Sequence, residues 1–179
     1  VLEAERNFLV EHAAIPNDTL YPEQWSLEHI KLPQAWDLST GDSEVIVAIS
    51  DTGVSRNHPE LKNNLWTNSD EIEGNQIDDD LNGYIDDYRG WNWRTGFGSA
   101  DDNHGHGTHV AGIIGAQGNN GNGIAGINWA VQMMPLKFLT NTGFGSSWDT
   151  TLTVLYATEE KAKVFNASWG CAGCDSSYL

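Results

Sequence analysis

The order of apolar segments along the 179 residues predicts an α/β fold with a mostly parallel sheet. The first observation is the run Val45-Ile46-Val47-Ala48-Ile49, apolar at every position and mostly β-branched. A strand with no polar alternation is one buried on both faces, as parallel strands under helices are. The second is the alternation that follows. Thr108 to Ala116 sets Val110, Ile113 and Ile114 at helical spacing, and Val131 to Leu139 is a second strand candidate interrupted by Pro135. Ser147 can cap a helix running to about Lys163, with Leu152, Leu155 and Ala162 on its apolar side, and Val164 to Ser168 is a third strand candidate. Strand, helix and strand in turn imply right-handed crossovers between parallel neighbours.

The intervening segments are connections. Val1 to Ile15 is mixed and partly amphipathic, and Pro16-Asn17-Asp18 then reads as a turn. Ser39-Thr40-Gly41-Asp42 breaks the chain before the first strand, and Gln117 to Gly126 is a Gly/Asn loop. With 39% hydrophobic and 19% charged residues, the composition is that of a folded domain with a core. No apolar run approaches the roughly 18 residues that a membrane helix needs. The net charge of −16 argues against nucleic acid and against an anionic membrane as partner. The chain starts at Val1 without a signal-like segment and reads as a fragment, so secretion is left open.

Asp51 closes the first strand, and open α/β sheets bind ligands beyond the carboxyl ends of their strands. The plainer alternative is an Asx turn before Gly53. In Asn103-His104-Gly105-His106-Gly107-Thr108-His109, three histidines are close enough to suggest a zinc cluster of His104, His106 and His109. No Glu stands between His106 and His109, however, as it does in the zinc-peptidase helix motif. The glycines around His106 permit another segment to approach closely. A histidine at a helix start can act as a general base when a carboxylate fixes its other nitrogen, and Asp51 is the natural candidate.

Ten of the 25 acids lie between Asp70 and Asp102, with only Arg89 and Arg94 to offset them. Such crowding is either a solvated face or a site for a hard cation. Asp78-Asp79-Asp80-Leu81-Asn82-Gly83-Tyr84-Ile85-Asp86-Asp87 places oxygen ligands at alternating positions and matches the start of a calcium loop. The carboxylates of Asp78, Asp80 and Asp86, the amide of Asn82 and the carbonyl of Tyr84 could converge on one calcium, with Gly83 making the sharp turn. Arg89 stands where an EF-hand has its bidentate Glu, so the loop is not an EF-hand. The two cysteines, Cys171 and Cys174, read as a local disulfide or free thiols, since no second pair completes a zinc site.

Asp51-Thr52-Gly53 after its apolar run resembles the aspartate motif of the subtilisin-like serine peptidases. His106-Gly107-Thr108-His109-Val110-Ala111-Gly112 resembles their histidine motif, in the same Asp-before-His order. Val164 to Gly170 resembles the substrate-binding strand that follows. The resemblance runs from about Pro16 to the end. It implies a three-layer α/β/α fold, incomplete at the C-terminus, with residues 1–15 the end of a propeptide or a linker and 16–179 the N-terminal part of the peptidase domain. Asp51 would orient His106, and His106 would take the proton of a serine hydroxyl and pass it to the leaving amine. Ser168, Trp169 and Gly170 on one side and Gly143, Phe144 and Gly145 on the other would clamp a peptide as an extended strand. Asp18, Glu60 and Asn120 match positions where the family gathers a structural calcium, and His109 a structural position in the helix. A peptide or protein substrate, the chain's own propeptide as inhibitor and a secreted location follow from the same resemblance, and calcium loops like this one occur in bacterial members.

The family's oxyanion asparagine and Gly-Thr-Ser motif do not occur by Leu179, and Ser168, Ser176 and Ser177 lack that context. The leading expectation is a serine endopeptidase whose nucleophile lies beyond this stretch. The alternatives are a catalytically inactive calcium-binding fragment or pseudoenzyme, and a zinc metalloprotein.

Overall fold

Gly41–Asp51 forms a strand twice as long as its apolar run, and this strand, β1, is the axis of the molecule. The computed structural model describes residues 14–170. In it, β1 pairs in parallel with β3 (Ala130–Lys137) and with β4 (Val164–Asn166), and the short β2 (Trp91–Asn92) adds on the far side of β3. The sheet order is β2-β3-β1-β4, all parallel, as the unbroken apolar run requires.

The side chains of β1 divide between two cores. Val47 and Ile49 point with Val131 and Met133 toward helix α3 (His106–Gly115), meeting its Val110 and Ala111. Ile46 and Ala48 point with Met134 and Leu136 to the other face, where Tyr156 and Ala157 of helix α4 (Ser147–Glu159) cover them. One helix on each face of one sheet gives the three layers. α3 lies close enough to the sheet that a Cβ on Gly115 would sit 2.6 Å from Val131 Cγ1. A third, smaller cluster holds the turn Tyr21–Glu23 and the helices α1 (Trp25–His29) and α2 (Leu32–Trp36) against the loop after α3, through Tyr21, Leu27, Trp36 and Ala125. Among the described residues no helix is long and apolar enough to cross a membrane.

Pro135 sits within β3 because its missing N–H falls where no partner is needed. The Met133 amide and carbonyl bond Asn64 and Trp66, on the side of β3 away from β1, and Pro135 faces the same way. β2 begins one register later, at Leu136.

Helix α4 departs from the expected pattern. Its cap is Ser146, not Ser147: Ser146 is extended, and its hydroxyl accepts from Asp149 N at 3.1 Å. It ends at Glu159 because Lys161 is left-handed, which turns the chain so that Lys163 N can bond Ile46 O. Its buried face is Thr153, Tyr156 and Ala157, while Leu155 is exposed and Leu152 only half-buried. One reason is polar: Ser50 of β1 points into this layer, and its buried hydroxyl pairs with that of Thr153, 3.0 Å away.

Ile49 is fully buried between β3, β4 and α3. Ile49→Ala is expected to lower unfolding stability by about 2–5 kcal/mol, read as a lower denaturant midpoint.

Candidate active site

β1 and β3 end side by side, with Asp51 in register with Lys137, and α3 begins beside them at His106. Asp51 is 0% exposed. Its Oδ1 and Oδ2 lie 2.7 and 3.0 Å from His106 Nδ1, and Oδ1 also accepts from Thr52 N at 2.7 Å. The imidazole is 42% exposed, so one edge is held by a buried carboxylate while the ring remains open to solvent. Such an arrangement fixes the Nδ1–H tautomer and leaves the other ring nitrogen able to take a proton.

This approach depends on the absence of side chains at two positions. Gly105, the residue before α3, is left-handed with φ of 101° and turns His106 into the helix. A Cβ on Gly107 would lie 2.1 Å from Gly53 O and 3.1 Å from Asp51 Cβ. Any larger residue there would push the helix start off the Asp51 turn.

Asp102 holds the two pieces together, and the motifs did not point to it. Its Oδ1 accepts from Thr52 Oγ1, His104 N and Gly105 N, and its Oδ2 from Thr108 N and Thr108 Oγ1. Thr52 Oγ1 in turn accepts from Gly107 N at 2.9 Å. One carboxylate thereby fastens the residue after Asp51 to the first turn of the helix that carries His106, where the helix dipole also favours an anion. Burial alone would raise the Asp102 carboxyl, but the Thr108 hydroxyl and the amides of Gly105, His104 and Thr108 bring it down to about 2. The available sequence signal was an acid a few residues ahead of a helix start.

The two segments expected to grip a peptide both meet Phe138, just past Lys137. The Trp169 indole packs edge-on against the Phe138 ring at 5.3 Å and donates to Ser50 O at 3.0 Å. Gly145 lies so near that a Cβ would be 2.6 Å from Phe138 Cδ2. Gly143 sits by the ring of His104, and Gly143, Phe144 and Gly145 are exposed, as are Ser168 and Gly170. The Ser168 hydroxyl bonds the Asn166 side chain.

The sequence profile described as "Subtilase family", peptidase S8, matches residues 42–178. The chain belongs to the subtilase family. It is 35% identical to subtilisin-like protease 1 of Plasmodium berghei over 156 residues, which are 86% of this chain and 26% of that protein. It is 32% identical to the thermophilic serine proteinase of Bacillus sp. strain AK1, over 94% of this chain and 37% of that one. A solved structure titled as proteases from Pseudoalteromonas arctica PAMC 21717 superposes with a TM-score of 0.68 at 28% identity, covering 92% of this chain and 54% of its own. This subtilase chain therefore spans well under two thirds of the length of each.

Among the described residues, His104, His106 and His109 do not bring ligand atoms to one point; the one such group is Glu71, Asp80 and Asp87, whose oxygens lie within 4.8 Å of one another. Asp80 of the expected calcium set is thus joined by two acids the motif did not single out. Asp78 instead accepts from Asn82 N and Gly83 N, and Asp86 from Gly74 N and Gln76 N. Asn82 donates to both Asp80 and Asp87, while its own side-chain oxygen accepts from Tyr84 N. Burial raises the carboxyls of Glu71 and Asp87, each further raised by Asp80. Glu71 Oε2 is buried without a partner.

The residues of the second expected set engage one loop, 119–122, separately. Asp18 accepts from Asn119 N at 2.6 Å and Asn120 N at 3.4 Å, and Asn122, two residues on, donates to Glu60 Oε1. Glu60 Oε2 is likewise buried and unpartnered. The expected propeptide end is outside the described residues except for Ala14 and Ile15, and Cys171, Cys174, Ser176 and Ser177 lie wholly outside them.

The Asp102 carboxyl is lowered from 3.8 to about 2, so the stability it contributes is present above about pH 4 and is lost as pH falls through about 2. Asp102→Asn is expected to melt at a lower temperature than the parent at pH 6, with the gap closing between pH 4 and pH 2. A gap independent of pH would count against the carboxylate clasp.

Proposed function

We propose that this chain carries the aspartate and histidine of a subtilisin-type serine endopeptidase. The observation that supports it most is the contact between His106 Nδ1 and both oxygens of a wholly buried Asp51, with the imidazole open to solvent. In this reading neutral His106 accepts the proton of a serine hydroxyl as that oxygen attacks the peptide carbonyl, then donates it to the departing amine. Asp51 remains ionised, holds the tautomer and stabilises the imidazolium between the two transfers. The serine and the oxyanion asparagine lie in sequence following Leu179. The greater length of the named relatives favours that assignment, since the part matched here is 26% and 37% of theirs.

The substrate is a peptide or protein segment bound as an extended strand between residues 143–145 and 168–170, whose proximity through Phe138 supports the clamp. The same reading includes inhibition by the chain's own propeptide and a secreted location. In the complete protein, reaction with a serine-directed fluorophosphonate is expected, and His106→Ala should slow it about 10²- to 10⁴-fold. Undiminished labelling of the variant would sink the role given to His106.

Calcium is the cofactor the acid clusters suit. It would be held by Glu71, Asp80 and Asp87 in the long loop and by Glu60 and Asp18 near the N-terminal turn, where it supplies positive charge that draws the acids together and ties loop to core. The fit rests on the unpartnered Oε2 atoms of Glu71 and Glu60, buried oxygens that a hard cation satisfies. Chelation should lower the melting temperature, and Glu71→Gln should remove part of that response. An unchanged melting temperature on chelation would count against both sites.

A further inference from the structure

Lys137 is the one lysine of the chain buried among the described residues, and it stands at the end of β3 directly beside Asp51. It is 6% exposed, and its Nζ donates to the carbonyl of Thr52, the residue after Asp51. The two amides that follow it reach the same turn: Phe138 N and Leu139 N both bond Asp51 O, at 3.1 and 3.2 Å. Residues 137–139 therefore hold the Asp51-Thr52 backbone from the sheet side, while Asp102 holds it from the helix side.

The charges around this ammonium are unequal. From β1 it faces Asp51, and from the loop before α3 it faces Asp101 and Asp102, while burial opposes its charge. Asp101 is also paired with Arg56 at 3.2 Å, and β2 offers only the uncharged Asn92 in register. Arg94, further along, is engaged by Asp149. Asp51 touches His106 and Asp102 accepts from the amides that lead into its helix, so the fixed charge on this side of the imidazole is negative; a neighbouring negative charge favours the protonated form of a base. A fixed cation on the far side of Asp51 works against that bias without competing for the imidazole. A buried ammonium kept despite its desolvation cost, with a carbonyl of the catalytic turn as its hydrogen-bond partner, suits this role.

We propose that Lys137 is a positioning residue for the Asp51–His106 pair: it anchors the turn that carries Asp51 and supplies the positive charge that leaves His106 free to act as a base. The inference rests on the peptidase reading above. In the complete protein, Lys137→Met should lower kcat about tenfold with little change in KM, and move the acidic limb of the kcat/KM profile about one pH unit upward. Lys137→Arg, which keeps the charge, should leave the limb in place. The ring-proton NMR titration of His106, assigned by its loss in His106→Ala, should move in the same direction in Lys137→Met. That arm needs no turnover, so a wild type that fails to react with the fluorophosphonate would overturn the peptidase reading and leave the titration to decide the lysine. An unmoved limb and titration in Lys137→Met, or an equal shift in Lys137→Arg, would overturn the proposal. Should Lys137→Met not fold, Lys137→Gln keeps a donor for Thr52 O and reads the same shift. Failure of both neutral variants to fold would make Lys137 purely structural and would overturn it too.

Discussion

A carboxylate removed from water must find its hydrogen bonds inside the protein, and Asp51 finds them in Thr52 N and His106 Nδ1. Much of the surrounding structure follows from that requirement. The imidazole can reach a wholly buried acid only if its helix starts against the turn after β1, which explains the glycines at 105 and 107 and the carboxylate of Asp102 that ties turn to helix. The sheet contributes from the other side through Lys137, Phe138 and Leu139. The geometry of two side chains is thus set from three separate stretches of chain: the turn after β1, residues 102–108 and residues 137–139.

Much of the layered fold was legible because its signals are periodic or positional. An unbroken apolar run identified β1, and an acid at its end marked the edge where His106 is found against it. What escaped the sequence were residues whose role appears only across long separations. Asp102 is one more acid in a crowded segment until five donors are seen around it. Lys137 closes an apolar strand as Asp51 does, but a cation at a strand end carries no motif. The buried face of α4 escaped for another reason: apolar periodicity cannot foresee that Ser50, pointing up from β1, pairs with Thr153 opposite it.

The acid surplus is likewise less uniform than composition suggests. Asp78 and Asp86 are consumed in capping backbone amides of their own loop, which is how an Asp-rich segment keeps irregular chain in one shape. Glu71 and Asp87 are buried beside the half-buried Asp80, and the neutral amides of Asn68 and Asn82 bridge Asp80 and Asp87. The alternating spacing of the loop was readable; the entry of Glu71 from seven residues upstream of Asp78 was not, because it depends on how the loop folds back.

The parallel pairing of β1 with β3 has a kinetic consequence. Gly41 pairs with Ala130 and Asp51 with Lys137, so the two strands meet only after a connection of some eighty residues, with α3 and the acidic loop inside it, has closed. Long-range parallel pairing of this kind forms slowly. Until it forms, the Asp51 turn has neither its sheet-side amides nor its lysine. A growing or partly folded chain would therefore contain both members of the pair yet no oriented base. The order in which the contacts can form leaves the Asp51–His106 contact among the last to be completed.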